Sequence, residues 1–353
     1  VGEVDLGVGG TRNFAAYDAY LVGLSLYNQL GQENYARAIE HLEKAVALDP
    51  DSAQARSVLT IVYFEAATVW ISERADDLIK KSEAAASRAI AIAPEAASSL
   101  RAAGLQQMQR RDWTAAEQSW KKALELAPAE ALTNVGYGRF LLYAGRAREA
   151  IEYFRRAVRS DRLALGPTQW LGFAHELNGD IDAASKEFER GKGLPGNQVL
   201  SNIAILVVAM EMGDRALMEP YLEKIGDNDL LPPDNLSLTE KMRPLLDSPE
   251  AARMDLRRFY RDPAYSNLIA LSAIAIWASY FSDHELALKA YHELSETRAL
   301  TVFAIWRPVH KQMRQLPGFK DLVQTLGLVD YWRTTGNWND FCRPLGEDDF
   351  ECE

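Results

Sequence analysis

The side chains that most often carry chemistry are few in this chain and poorly spaced for it. Histidine occurs five times, at His41, His175, His284, His292 and His310. A zinc-hydrolase helix needs two histidines four residues apart with a glutamate between them, because positions i and i+4 share one helical face. No pair here has that spacing, and His284 and His292 lie too far apart to share a turn. His175 falls on a predicted helix and reads as a surface or core histidine rather than a ligand. Cys342 and Cys352 have no histidine near them in sequence and are too few to hold a metal. Gly7-Val8-Gly9-Gly10 lacks the Lys-Ser/Thr that completes a phosphate cradle, and Gly191-Lys192-Gly193 reads as a helix end. No Gly-x-Ser-x-Gly nucleophile turn occurs. Asp76-Asp77 and Asp348-Asp349 are adjacent acids, expected to be solvated. The sequence therefore assigns no catalytic residue, no metal site and no cofactor, and the chain reads as a non-enzyme.

A different spacing dominates. Gly104, Gly138 and Gly172 are 34 residues apart twice over. Ala116, Ala150 and Ala184 follow them by 12, and Trp120, Phe154 and Phe188 by 16. Gly145 and Gly179 mark turns, and helix-ending Pro94 and Pro128 keep the same interval. Small residues let two helices approach closely, and the aromatic is expected to fill the hole made by the next unit. This pattern resembles the tetratricopeptide repeat (TPR) family, in which each 34-residue repeat is one helix–turn–helix unit. The resemblance covers about residues 14–296 and is strongest in units three to five. It implies an all-α fold: a TPR-like right-handed superhelical solenoid of antiparallel helix pairs with an irregular C-terminal cap.

Residues 1–13 are glycine-rich and read as a linker. TPR units one to six are expected over 14–226. The first helix should start near Phe14 behind Asn13, a good N-cap. The second unit should open with an extended helix from Ala53 to about Ser72. Pro220 should shorten or kink the last helix of unit six. Pro232, Pro233, Pro244 and Pro249 make 227–264 an irregular Pro-rich connection. Further TPR-like helices are expected over 265–329, and 330–353 reads as a capping tail. Trp332 and Trp338 lie in that tail and read as capping residues rather than as a ligand platform.

The family's pattern implies a groove lined by the first helices, at the second, fifth, ninth and twelfth positions of each unit. These positions are Arg101, Leu105 and Met108, then Val135, Arg139 and Leu142, then Gln169, Phe173 and Glu176, then Ile203, Val207 and Met210. Such a surface takes an extended or helical segment of a protein partner. Arg101 and Arg139 are the cations expected to meet that partner. Leu105, Arg139 and Phe173 stand where a chaperone-binding carboxylate clamp has asparagine, so a chaperone-adaptor role is disfavoured.

With 39 basic and 50 acidic residues the net charge is −11, which argues against a nucleic-acid grip. The longest apolar stretch, Leu268 to Phe281, is shorter than the roughly 20 residues a membrane span needs. The chain opens at Val1 without an initiator methionine and reads as a piece of a larger protein. Pro317-Gly318-Phe319, Leu326-Gly327-Leu328-Val329-Asp330-Tyr331-Trp332-Arg333 and Asp340-Phe341-Cys342 resemble the carboxyl-terminal tail of a bacterial group. In that group TPR units follow a class III adenylate or guanylate cyclase domain or a winged-helix domain. The resemblance implies the sensor or regulatory region of a signalling protein, extracytoplasmic where the parent is membrane-anchored and cytoplasmic otherwise. In an oxidising compartment Cys342 and Cys352 would close a small loop; the alternative is two reduced thiols that never meet. Two other functions stay open: a homo-oligomerisation module that dimerises the upstream output domain, and, remotely, a hydrolase with an unrecognised groove site.

Overall fold

In the computed structural model, residues 10–71, 74–196, 198–226, 233–296 and 302–353 are described. Residues 1–9 of the expected linker, Ser72 and Pro232 lie outside them. The described residues form nineteen α-helices and one β-hairpin. They divide into two compact units: Val1–Phe140 with Glu152–Thr168 and Leu194–Asn197, and Leu141–Ile151 with Gln169–Gly193 and Gln198–Glu353.

In the first unit, α1 (Phe14–Asn28) packs on α2 (Gln32–Leu48), α3 (Ala53–Glu65) on α4 (Ala75–Ile92), and α5 (Ala97–Gln109) on α6 (Trp113–Leu126). Asn13 caps α1, its side chain accepting from the Ala15 and Ala16 amides at 3.0 and 3.2 Å, which satisfies two donors a helix start leaves bare. The extended helix expected to about Ser72 runs helically to Trp70, as α-helix to Glu65 and then as a π-helix, Ala66–Trp70. The Thr68 hydroxyl donates back to the Phe64 carbonyl at 2.9 Å, and the Ile71 amide reaches Ala66 across the wider turn. Such back-bonding competes with the regular ladder.

The glycine–aromatic pairs lock the two helices of one repeat together. A Cβ on Gly104 would lie 2.7 Å from the Trp120 ring, and one on Gly138, in α7 (Ala131–Tyr143), 2.8 Å from Phe154 in α8 (Ala147–Ser160). In the second unit Gly172, in α9 (Leu165–Leu177), meets Phe188, in α10 (Ile181–Lys192), in the same way. The aromatic thus covers the glycine of its own repeat. Trp120 also meets the next repeat, because a Cβ on Gly136 would touch its opposite edge at 2.2 Å. Each glycine costs up to about 1 kcal/mol of helix propensity, and burial of the ring stabilises by roughly 1.5–3 kcal/mol, so the exchange is favourable.

The second unit continues with α11 (Val199–Met212), α12 (Arg215–Gly226), α13 (Pro233–Met242), α14 (Pro249–Arg261), α15 (Leu268–Tyr280) and α16 (His284–Glu296). Pro220 sits inside α12. The stretch expected to be an irregular connection contains α13 and α14. Pro249 opens α14, and Pro244 falls in the first turn of a short 3-10 helix. At such starts proline has no intrahelical hydrogen bond to lose. The C-terminal part is also more regular than expected. Short helices α17 (Lys311–Arg314), α18 (Gly318–Thr325) and α19 (Leu328–Thr335) lead to antiparallel strands β1 (Cys342–Leu345) and β2 (Asp349–Cys352).

Candidate functional site

The expected groove positions gather around buried charges. In the first unit Arg101 is 1% exposed and pairs with Glu130 and with the Thr133 hydroxyl. Arg139 pairs with Glu65, which also accepts from the hydroxyls of Tyr27 and Tyr35. Burial first, and the Glu65 charge second, push both tyrosines well above their usual range. They stay protonated and donate. A carboxylate with three donors around it is satisfied, and such a network rigidifies a core.

In the second unit the segment Val302–Trp306 and the turn Pro308–His310 lie against α9 at Phe173 and Glu176 and against α11 at Glu211. The Phe303 ring is 5.5 Å from Trp170 and 5.8 Å from Phe173. The Arg307 guanidinium stands 5.4 Å from the centre of the Phe173 ring, and its Nε is 3.1 Å from Glu176 Oε1. That pair is an ionic contact without aligned hydrogen-bond geometry. Glu211 accepts from the Val309 amide at 3.3 Å. Burial raises both carboxyls and Arg307 opposes this at each, while the Glu176 charge drives Glu211 higher still. Glu211 is the more strongly raised of the two, and Glu176 faces Arg307. His310 is closed in between the Ser279 hydroxyl at 2.7 Å and the Tyr291 hydroxyl at 2.9 Å. Burial, with Arg314 and Arg307 nearby, holds it well below its usual range and so neutral.

The C-terminal residues also close the end of α7. Helix ends leave carbonyls without intrahelical partners. Here Tyr143 accepts from Trp306 Nε1 at 3.2 Å, Ala144 from Trp332 Nε1 at 3.2 Å, and Gly145 from the Asp340 amide at 2.9 Å. The Asp340 carboxylate accepts from the Arg148 amide at 3.0 Å, in the first turn of α8. Trp338 packs on Trp332, their ring centres 5.6 Å apart. Cys342 and Cys352, directly opposite across the hairpin, form a disulfide.

These placements correct the open lining read from the sequence. Arg101, Leu105, Met108, Val135, Arg139, Leu142, Gln169, Glu176, Val207 and Met210 are buried, and Phe173 and Ile203 are half-buried. The arginines are drawn to acids of their own unit, and Phe173 and Glu176 of α9 are covered by Phe303 and Arg307. Sequence reasoning missed Glu65, Glu211, Arg307 and His310. A signal existed for the two acids: Glu65 is the one charge between Leu59 and Trp70, and Glu211 follows the apolar run Ile203–Met210. A lone acid in an apolar helix must find a partner. Among the described residues no group of three metal-type side chains occurs, and no helix is long and apolar enough to cross a membrane.

Residues 20–52 match the tetratricopeptide repeat family model. The match covers one repeat, and the fold is all-α with TPR-like packing of adjacent helix pairs. No curated protein matches it. Among solved structures, the human IFIT1 dimer with m7Gppp-AAAA is similar over 79% of this chain and 71% of that one, at 14% identity and a TM-score of 0.53. PilW, a type IV pilus biogenesis factor, is 17% identical over 61% of this chain and 94% of its own, with a TM-score of 0.41. YrrB, a TPR protein with an unusual peptide-binding site, is 16% identical over 54% of this chain and 89% of its own, with a TM-score of 0.33. The likeness to IFIT1 is one of fold alone.

Proposed function

We propose that this chain is a non-catalytic protein- or peptide-interaction scaffold, the sensor or regulatory TPR region of a larger bacterial signalling protein with a cyclase or winged-helix output module. The observation that supports it best is the use made of the buried charges. Buried Glu65 and Glu176 and half-buried Glu130 are each paired with an arginine of the same unit, an arrangement that fixes the stacking of helices. The Cys342–Cys352 pair supports an oxidising, extracytoplasmic setting. Protease added to host spheroplasts tests this. A native band larger than 39.4 kDa that is trimmed from outside supports the reading; a soluble, protected band near that mass counts against it.

One feature favours the homo-oligomerisation reading. On α1, Phe14, Leu21 and Val22 are 56%, 44% and 37% exposed, an apolar face that a second copy would cover. Light scattering at tens of micromolar decides this: a monomer excludes it, and a dimer abolished by Leu21→Asp supports it.

A further inference from the structure

An open cleft of about 280 Å3 lies between α14 and α16 of the second unit. Its lining carries three cations, Arg257 and Arg261 from α14 and Lys289 from α16. Arg257 is held in place. Asp283, whose side chain is 4% exposed, accepts from Arg257 Nε at 2.8 Å and from the Leu286 amide at 3.3 Å. One buried carboxylate thus caps α16 and orients the guanidinium. Only Nε is engaged, so the two terminal nitrogens of Arg257 remain for a ligand. Arg261 follows Arg257 by four residues and shares its helical face.

The neighbours of these cations on α14 are already used: Arg253 pairs with Glu250, and Arg258 with Asp255. Arg261 and Lys289 are exposed and pair with no acid among the described residues. Once Arg257 and Asp283 cancel, the lining keeps the two cations Arg261 and Lys289 against the exposed Glu285, with Glu293 and Glu296 near the lining Tyr260, in a chain whose net charge is −11. Leu286, 4% exposed, gives it an apolar floor. Guanidinium edges beside an apolar floor fit a planar carboxylate on a short aliphatic stem. A polyphosphate chain fits less well, since Glu285 and the overall negative charge repel it.

We infer that the α14–α16 cleft binds an acidic peptide segment of a partner protein, its Asp and Glu carboxylates taken by Arg257, Arg261 and Lys289. This rests on the scaffold reading and gives it a surface, built from α14 and α16 rather than from the positions read as a groove. The cations are exposed and screened, so the binding is salt-sensitive and needs several carboxylates at once.

The test uses the whole chain and a fluorescein-labelled Glu-Asp-Leu-Glu-Glu-Leu-Asp-Glu peptide, with its Gln/Asn counterpart as control, read by fluorescence anisotropy. The acidic peptide binds and the neutral one does not. Arg261→Glu with Lys289→Glu weakens binding at least tenfold with an unchanged circular dichroism spectrum, while Arg261→Lys with Lys289→Arg keeps it. Equal binding of the two peptides, or no loss in the reversed variant, overturns the proposal. So does displacement by inorganic phosphate at concentrations where acetate has no effect. Light scattering provides the last arm. A dimer that the reversal abolishes assigns the cleft to a second copy's acidic Glu347-Asp348 turn instead. Any of these failures leaves the spheroplast result, and with it the scaffold reading, standing on its own.

Discussion

Phe188 of α10 lies so close to Gly172 of α9 that a Cβ there would sit 2.4 Å from a ring carbon. The ring is fully buried and has no room to retreat. Gly172→Ala gains about 1 kcal/mol of helix propensity and incurs an overpacking cost of about 1–3 kcal/mol. At so short a separation the second effect dominates. Urea denaturation should show a net loss, smaller when Phe188→Leu is added than the two single losses together. A more stable Gly172→Ala chain would mean that α9 and α10 separate freely.

Arg307 is the one cation seen against Glu176 among the described residues. Arg307→Met leaves Glu176 buried without its counter-charge, an error that typically costs about 3–5 kcal/mol. The double variant with Glu176→Gln should regain most of that loss. Equal destabilisation of the single and double variants would show that Arg307 acts through its packing on Phe173 alone.

The Glu211 carboxyl, raised by burial and by Glu176, predicts a pH effect with a definite sign. The folded chain keeps a proton there that the unfolded chain releases above about pH 4.5. Its contribution to stability is therefore complete at acid pH and declines as the pH climbs toward the raised value. His310 works the other way, because its depressed range makes stability fall as the pH drops below 6.5. Comparing Glu211→Gln with the parent at each pH cancels the histidine. The variant should gain stability relative to the parent between pH 5 and pH 8; a constant difference would show that Glu211 is ordinary.

Cys342 and Cys352 close a loop of ten residues. Loop-closure entropy gives such a link roughly 2–3 kcal/mol. Dithiothreitol should lower the melting temperature of the parent and leave that of Cys342→Ser with Cys352→Ser unchanged. Equal melting of the parent with and without reductant would mean that the thiols are not joined in solution.

The repeats were legible because their signal is backbone chemistry. Gly145, Gly179 and Gly213 all sit at positive φ between two helices, 34 residues apart. Arg111 occupies the same phase at φ +61; a residue-type pattern passes over it, although the turn is the same. The N-cap at Asn13 and the prolines at helix starts were readable for the same local reason, but only as signals, since Pro249 opens a regular helix where a break was expected. The inward positions were a family inference about what stays uncovered. That depends on chain far away in sequence: nothing near Phe173 or Glu176 announces Phe303 and Arg307. The π-turn after Glu65 is set by where Thr68 finds an acceptor, again invisible to periodicity.

The closure of α7 has a consequence in time. Trp332 follows its acceptor Ala144 by 188 residues, and Trp306 follows Tyr143 by 163. A chain made at about 5–20 residues per second exposes that helix end for roughly 10–40 s before its second tryptophan leaves the ribosome. During synthesis the end of α7 carries carbonyls that only water can serve, and residues made more than 160 positions later complete it.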